Sequence, residues 1–258
     1  MLRLGAVPYI NALPLLAGLE ARGDVRISTS RPSALPDQVV NGVVDVALVP
    51  VAALLSHEVL EPISDACIGA GGRVDSVLLL LRRSPGRIRR LVLDPASRSS
   101  QLLARIWLAE RHGVRPETVL EGDPRSAWEE GAGDAVLVIG DEALRMRAEG
   151  LPHVDLAREW RELTGLPFVF AVWARHRGRD HSLGWTEVAR ILEGAREEGL
   201  GRLAELARTA AAQHDFPEDT LRIYLERRLR YRLGPAEERG LAAFLDRSRR
   251  LQPHHSPS

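Results

Sequence analysis

The chain has 258 residues, 45% of them hydrophobic, and its 35 basic and 35 acidic residues give a formal net charge of +0. That length allows one large domain or two small ones, and the apolar share supports a packed core rather than a disordered chain. The charge balance speaks against a nucleic-acid or anionic-membrane partner, since both need a net basic face.

Lysine is absent, so Schiff-base chemistry, which needs a lysine amine, is excluded. The one cysteine, Cys67, allows no internal disulfide, and no CxxC or Cys/His cluster points to zinc. The N-terminus opens directly as a strand pattern, Met1-Leu2-Arg3-Leu4-Gly5-Ala6-Val7, with no secretory signal pattern. No run reaches the roughly 20 apolar residues of a membrane helix. The expected location is cytoplasmic.

Candidate strands, in chain order, are Leu2–Val7, Arg26–Ser30, Val46–Val49, Ser76–Leu81, Arg90–Leu93, Ala135–Ile139 and Phe168–Trp173. They are short and rich in Val, Leu and Ile, as buried strands of a parallel or mixed sheet are. Helical patterns separate them, for example Leu102, Leu103, Ile106 and Trp107. Such alternation predicts an α/β fold with crossover connections. A weak repeat relates Gly42–Val49 to Gly131–Val138, each a Gly-x-x-Asp turn running into a strand. Two lobes on one plan would explain it. From about Ser182 the pattern is helical throughout, punctuated by Pro217, Gly234 and Pro235. The arginine-rich stretch Leu221–Leu233 reads as a solvated helix face, with Leu221, Tyr224, Leu225 and Leu229 on the buried side. The tail Gln252–Ser258 is expected to be disordered.

Four segments combine strand ends with chemistry. In Val7-Pro8-Tyr9-Ile10-Asn11-Ala12-Leu13-Pro14 a strand ends, and a helix starts near Pro14. Ligands of open α/β sheets bind beyond the carboxyl ends of strands, and Asn11 offers donors and an acceptor there, or a helix cap. A glycine-rich loop, Ile68 to Val74, leads through Asp75 and Ser76 into the most apolar strand, without phosphate-loop or dinucleotide spacing. Leu93-Asp94-Pro95-Ala96-Ser97-Arg98-Ser99-Ser100 carries a strand into a long amphipathic helix. Free N–H groups, the helix dipole and serine hydroxyls favour an anion at such an entry, and Ser97 also suits an N-cap. Thr164-Gly165-Leu166-Pro167 turns into the aromatic strand Phe168–Trp173. At Ile139-Gly140-Asp141 the repeated strand ends, with Asp141 as a cap or a contact to a substrate hydroxyl.

Together these segments resemble the chorismate dehydratases of the futalosine route to menaquinone. The resemblance rests on Tyr9-Ile10-Asn11-Ala12-Leu13-Pro14, Gly42 to Pro50, Gly72 to Ser76, Ser97-Arg98-Ser99-Ser100, Ile139 to Leu144 and Thr164 to Trp173. It implies a two-lobed fold like the type II periplasmic binding proteins, with a helical C-terminal segment. Lobe 1 would combine residues 1–83 and 171–258, and lobe 2 residues 84–170, with crossings near Arg82 and Phe170. The implied reaction takes chorismate to 3-[(1-carboxyvinyl)oxy]benzoate and water without a cofactor or a metal. Asn11 and Ser76 are the implied catalytic residues. Ser97, Arg98, Ser99, Ser100, Gly140, Asp141, Thr164 and Phe168 are the implied substrate-binding set. His57, His112 and His153 lie outside these motifs, so the substrate's own enolpyruvyl carboxylate is the expected proton acceptor. The partner implied is the small-molecule substrate alone, with no nucleic acid and no membrane. Monomer and homodimer both stay open.

A solute-binding protein for a small organic anion would share the fold but need export. A transcription regulator's effector domain would need a DNA-binding helix-turn-helix. The related 1,4-dihydroxy-6-naphthoate synthase would share the architecture, but Ser97–Ser100 and Thr164–Trp173 fit the dehydratase better.

Overall fold

The computed structural model describes residues 1–251, so the tail Gln252–Ser258 lies outside it. The chain opens with β1 (Leu2–Ala6), a 3-10 turn (Ile10–Ala12) and α1 (Leu13–Leu16), then β2 (Val25–Thr29), α2 (Leu35–Val40), β3 (Val46–Pro50) and α3 (Ala53–Ser56). Next come β4 (Leu60–Ala70), β5 (Val77–Leu81), β6 (Arg90–Leu93), α4 (Arg98–His112), β7 (Thr118–Glu121) and α5 (Pro124–Glu129). After these follow β8 (Ala135–Ile139), α6 (Gly140–Ala148), β9 (His153–Asp155), α7 (Leu156–Thr164) and β10 (Phe168–His176). The last part holds α8 (Trp185–Gly201), α9 (Leu203–His214), α10 (Glu218–Ile223), a π turn (Tyr224–Arg228), β11 (Arg230–Arg232) and α11 (Pro235–Leu251). No helix among the described residues is long and apolar enough to cross a membrane.

The strands form two sheets, ordered β11-β4-β10-β3-β1-β2 and β7-β6-β8-β5-β9. Each contains a parallel triplet, β3-β1-β2 in the first and β8-β6-β7 in the second. The inner strand of each triplet, β3 or β8, is flanked by an antiparallel strand, β10 or β5 respectively. The short repeat belongs to this plan. Gly42 and Gly131 leave their helices at φ +72 and +69, where glycine carries no Cβ penalty. Asp45 then accepts from Arg3 N at 2.8 Å, pinning the start of β1. Asp134 accepts from Arg89 N and Arg90 N at 2.9 Å each, pinning the start of β6.

The crossings differ from those expected. Val77–Leu81 was assigned to the first lobe, but it pairs with β8 and β9 and so belongs to the second sheet. Phe168–Phe170 opens a strand of the first sheet. The chain therefore passes between sheets at Gly71–Ser76 and at Gly165–Pro167. The apolar run of β5 is explained by its position, paired on both edges and buried from Val77 to Leu80.

Two further expectations change. The glycine-rich loop is shorter, because Gly69 and Ala70 still pair within β4. The last quarter is not helical throughout, because Arg230–Arg232 joins β4 as an edge strand with Tyr231 inward. Most of it is still helix. There α8 packs on α1 so closely that a Cβ on Gly199 would sit 1.9 Å from Pro14 O. Between α7, β10 and α11 an aromatic core forms from Trp160, Phe168 and Phe244, with ring centroids 5.0–6.3 Å apart. Cys67 is buried in β4, and burial pushes its thiol pKa well up, which makes it a core residue rather than a nucleophile.

Candidate active site

A cavity of about 550 Å³, counting its open mouth, lies against the carboxyl ends of β1, β3, β6 and β8. This is where α/β sheets bind ligands. Val7, Leu48, Ile68, Phe170 and Leu229 make an apolar belt, and the polar lining comes from Tyr9, Asn11, Ser76, Ser97 and Ser100. Both sheets and the C-terminal segment contribute.

One polar wall centres on Ser76. It ends the loop before β5 and is buried. The Tyr224 hydroxyl, also buried, donates to Ser76 Oγ at 2.7 Å. Asn11 sits in the 3-10 turn after β1 and makes no capping hydrogen bond, so the cap reading is not what the fold uses. Its buried Oδ1 has no partner among the described residues. Burial drives the Tyr224 pKa upward, partly opposed by its hydrogen bond with Ser76.

The opposite wall is the entry of α4. Ser97 is the N-cap: its Oγ accepts from Ser100 N at 3.3 Å and donates to Ser100 Oγ at 2.9 Å. The first turn of this 15-residue helix carries no acid, and its positive end faces the cavity. At the other helix entry in the lining, that of α6, Asp141 and Glu142 stand in the first turn. Tyr9 lies between these helices, its phenol pushed up to about 12 by burial, then by the charges of Asp94 and Asp141, with Arg31 acting against them. Burial likewise raises the Asp94 and Asp141 carboxyls, each opposed by backbone N–H donors. Among the described residues no group of three or more His, Cys, Asp or Glu is placed to hold a metal ion.

A family model described as menaquinone biosynthesis matches residues 2–250. The chain belongs to that family. A curated relative, the chorismate dehydratase of Thermus thermophilus, is 32% identical over 263 positions, covering 94% of this chain and 93% of the relative. Among solved structures, the alkanesulfonate-binding protein SsuA of Xanthomonas axonopodis pv. citri matches with a TM-score of 0.71 at 18% identity, covering 98% of this chain and 94% of that one. A Candida albicans protein described as having the generic periplasmic binding protein fold matches with a TM-score of 0.61 at 10% identity, over 100% of this chain and 92% of that one. The fold is thus the periplasmic-binding-protein-like one, closed by a mainly helical C-terminal segment.

In this member of the menaquinone-biosynthesis family, the expected site residues divide. Asn11, Ser76, Ser97, Ser100 and Gly140 line the cavity. Ser99 does not: its Oγ accepts from Ala52 N at 3.1 Å and donates to Phe170 O at 3.5 Å. Arg98 is exposed and outside the lining. Asp141 is not the cap of α6, which begins after Ile139; its carboxylate accepts instead from Ile10 N at 3.4 Å. Thr164 closes α7, donating to Trp160 O at 2.8 Å and accepting from Leu166 N at 3.1 Å. Phe168 is wholly buried behind Phe170, at a ring-centroid distance of 4.7 Å.

Tyr9, Phe170 and Leu229 line the cavity, and Tyr224 backs it, beyond the expected site residues. Tyr9 and Phe170 stand inside the quoted motifs. Tyr224 and Leu229 had only the signal of a buried helix face. His57, His112 and His153 are elsewhere. His57 bonds Asp37 at 3.1 Å, His112 stacks edge-on to Trp107, and His153 bonds Leu151 O at 2.7 Å.

Proposed function

We propose that this protein is a chorismate dehydratase, a lyase that converts chorismate to 3-[(1-carboxyvinyl)oxy]benzoate and water. The observation that carries the reading is one cavity in a menaquinone-biosynthesis family member, with an apolar belt between two polar walls. The belt suits the carbocycle, and a few polar groups converge on it, as in small-molecule sites. The α4 entry at Ser97 and Ser100 takes one carboxylate through hydroxyls and the helix dipole. Asn11 and Ser76 on the other wall take the enolpyruvyl carboxylate and the C4 hydroxyl.

In the elimination the C3–H and C4–O bonds break, a ring double bond forms, and proton and hydroxyl leave as water. The ring becomes aromatic, so the driving force resides in the substrate, and the protein supplies orientation and assists one proton transfer, typically worth about 10²–10⁴-fold. The enolpyruvyl carboxylate accepts the proton. The three histidines named above do not line the cavity, which supports this assignment. No cofactor enters the scheme, and a cytoplasmic location suits a biosynthetic role.

The test is to incubate the pure protein with chorismate and follow the ultraviolet spectrum. An aromatic product is expected. Binding without turnover would favour a solute-binding protein. Loss of several orders of magnitude of turnover in His57→Ala, His112→Ala or His153→Ala would overturn the substrate-assisted step.

A further inference from the structure

The C-terminal segment enters the site through one side chain. Tyr224 stands at the start of the π turn after α10, and its ring is buried. Its hydroxyl donates to Ser76 Oγ at 2.7 Å across 148 positions of sequence. A tyrosine has one proton to give and a serine one of its own. With the Tyr224 proton spent on Ser76, the Ser76 proton is free for a third group. Asn11 lines the same cavity, and its Oδ1 is one of the buried side-chain atoms without a hydrogen-bond partner among the described residues. An unpaired buried acceptor is costly unless a ligand donor meets it.

We propose that Tyr224 is a positioning residue that fixes the proton direction of Ser76, so that Ser76 presents a donor to an anionic ligand oxygen while the unpartnered Asn11 Oδ1 accepts from a ligand hydroxyl. The assignment to ligand atoms rests on the chorismate reading: the dianion carries one O–H, at C4, and several anionic oxygens. Burial makes the device dependable, since it holds the phenol protonated. The relay also explains why a segment far along the chain belongs to the site.

The test is a double-mutant cycle on Tyr224→Phe and Ser76→Ala, read as kcat/KM with chorismate and as affinity for the aromatic product. Tyr224→Phe alone is expected to lower kcat/KM about tenfold. In the Ser76→Ala background it is expected to change neither readout beyond about twofold, because the group it orients is gone. A merely structural tyrosine would impose the same loss in both backgrounds, and that additivity would overturn the proposal. A second measurement needs no substrate and no folded Tyr224 variant. By NMR, the Tyr224 hydroxyl proton of the unliganded protein should exchange slowly, and its resonance should shift in Ser76→Ala. A proton that ignores Ser76→Ala overturns the relay whatever the substrate. A relay that responds in a protein inert to chorismate overturns the chorismate reading alone.

Discussion

Ser99 Oγ accepts from Ala52 N at 3.1 Å, joining the first turn of α4 in one sheet's layer to the loop after β3 in the other's. The same hydroxyl donates to Phe170 O at 3.5 Å, so one serine ties three chain segments beside the cavity. Ser99→Ala leaves the Ala52 N–H without its acceptor. We expect a loss of about 1–3 kcal/mol in stability, measured by urea unfolding, with substrate affinity changed less than by Ser97→Ala.

The arginine of the Ser-Arg-Ser-Ser motif faces solvent while its serines face inward. Arg98→Ala is therefore expected to keep kcat/KM within about twofold of the parent, as surface changes do. Ser97→Ala removes both the helix cap and the group that holds the Ser100 hydroxyl in place at the cavity. It should cost about 1 kcal/mol of stability and raise KM about tenfold. Steady-state kinetics on the two variants, side by side, checks the contrast.

Phe168 packs edge-on to Trp160 and Phe244 and is wholly buried, whereas its strand neighbour Phe170 lines the cavity. Phe168→Ala should cost about 3–5 kcal/mol through lost burial and the cavity left behind. Phe170→Leu should leave stability closer to the parent and act on KM instead. Thermal unfolding and kinetics on both variants separate the two roles.

Burial raises the Asp94 carboxyl above the ordinary range. An acid with a raised folded pKa binds its proton more tightly when folded, so the stability it contributes falls as pH rises through the window above its unfolded value. Asp94→Asn lacks that proton and that cost. Its melting temperature, relative to the parent's, should therefore climb as pH rises above about 4. A difference flat with pH would show that burial does not raise the Asp94 carboxyl.

Gly199 approaches Pro14 so closely that a Cβ would overlap the carbonyl oxygen at 1.9 Å. Gly199→Ala must push α8 off α1, and we expect it to destabilise by about 1–3 kcal/mol despite alanine's better helix propensity. Denaturant unfolding gives the sign directly.

Much of this was present in the residues taken alone. The strand–helix alternation, the Gly-x-x-Asp turns that pin β1 and β6, the Ser97 cap and the placing of Asn11 beyond a strand end are all local matters. A few neighbouring side chains and the period of the backbone decide them. Of the strands outside the expected set, β7, β9 and β11 are short and at sheet edges, whereas β4 is long and interior, its run interrupted by Pro62 and Asp65. β7 is exposed along its whole length, and β11 buries only Tyr231. Their pairing depends on a neighbour supplied from elsewhere. The same holds for the site. Strand periodicity puts Phe168 and Phe170 on one face, but only the docking of α7 and α11 covers the first and leaves the second at the cavity. Nothing local joins Ser76 to Tyr224, because hydrogen bonds between distant segments follow from how layers pack, and packing is settled by the whole core at once. The sequence by itself determined an α/β chain with donors at its strand ends; the tertiary structure decided which of those donors share a cavity, and which way their protons point.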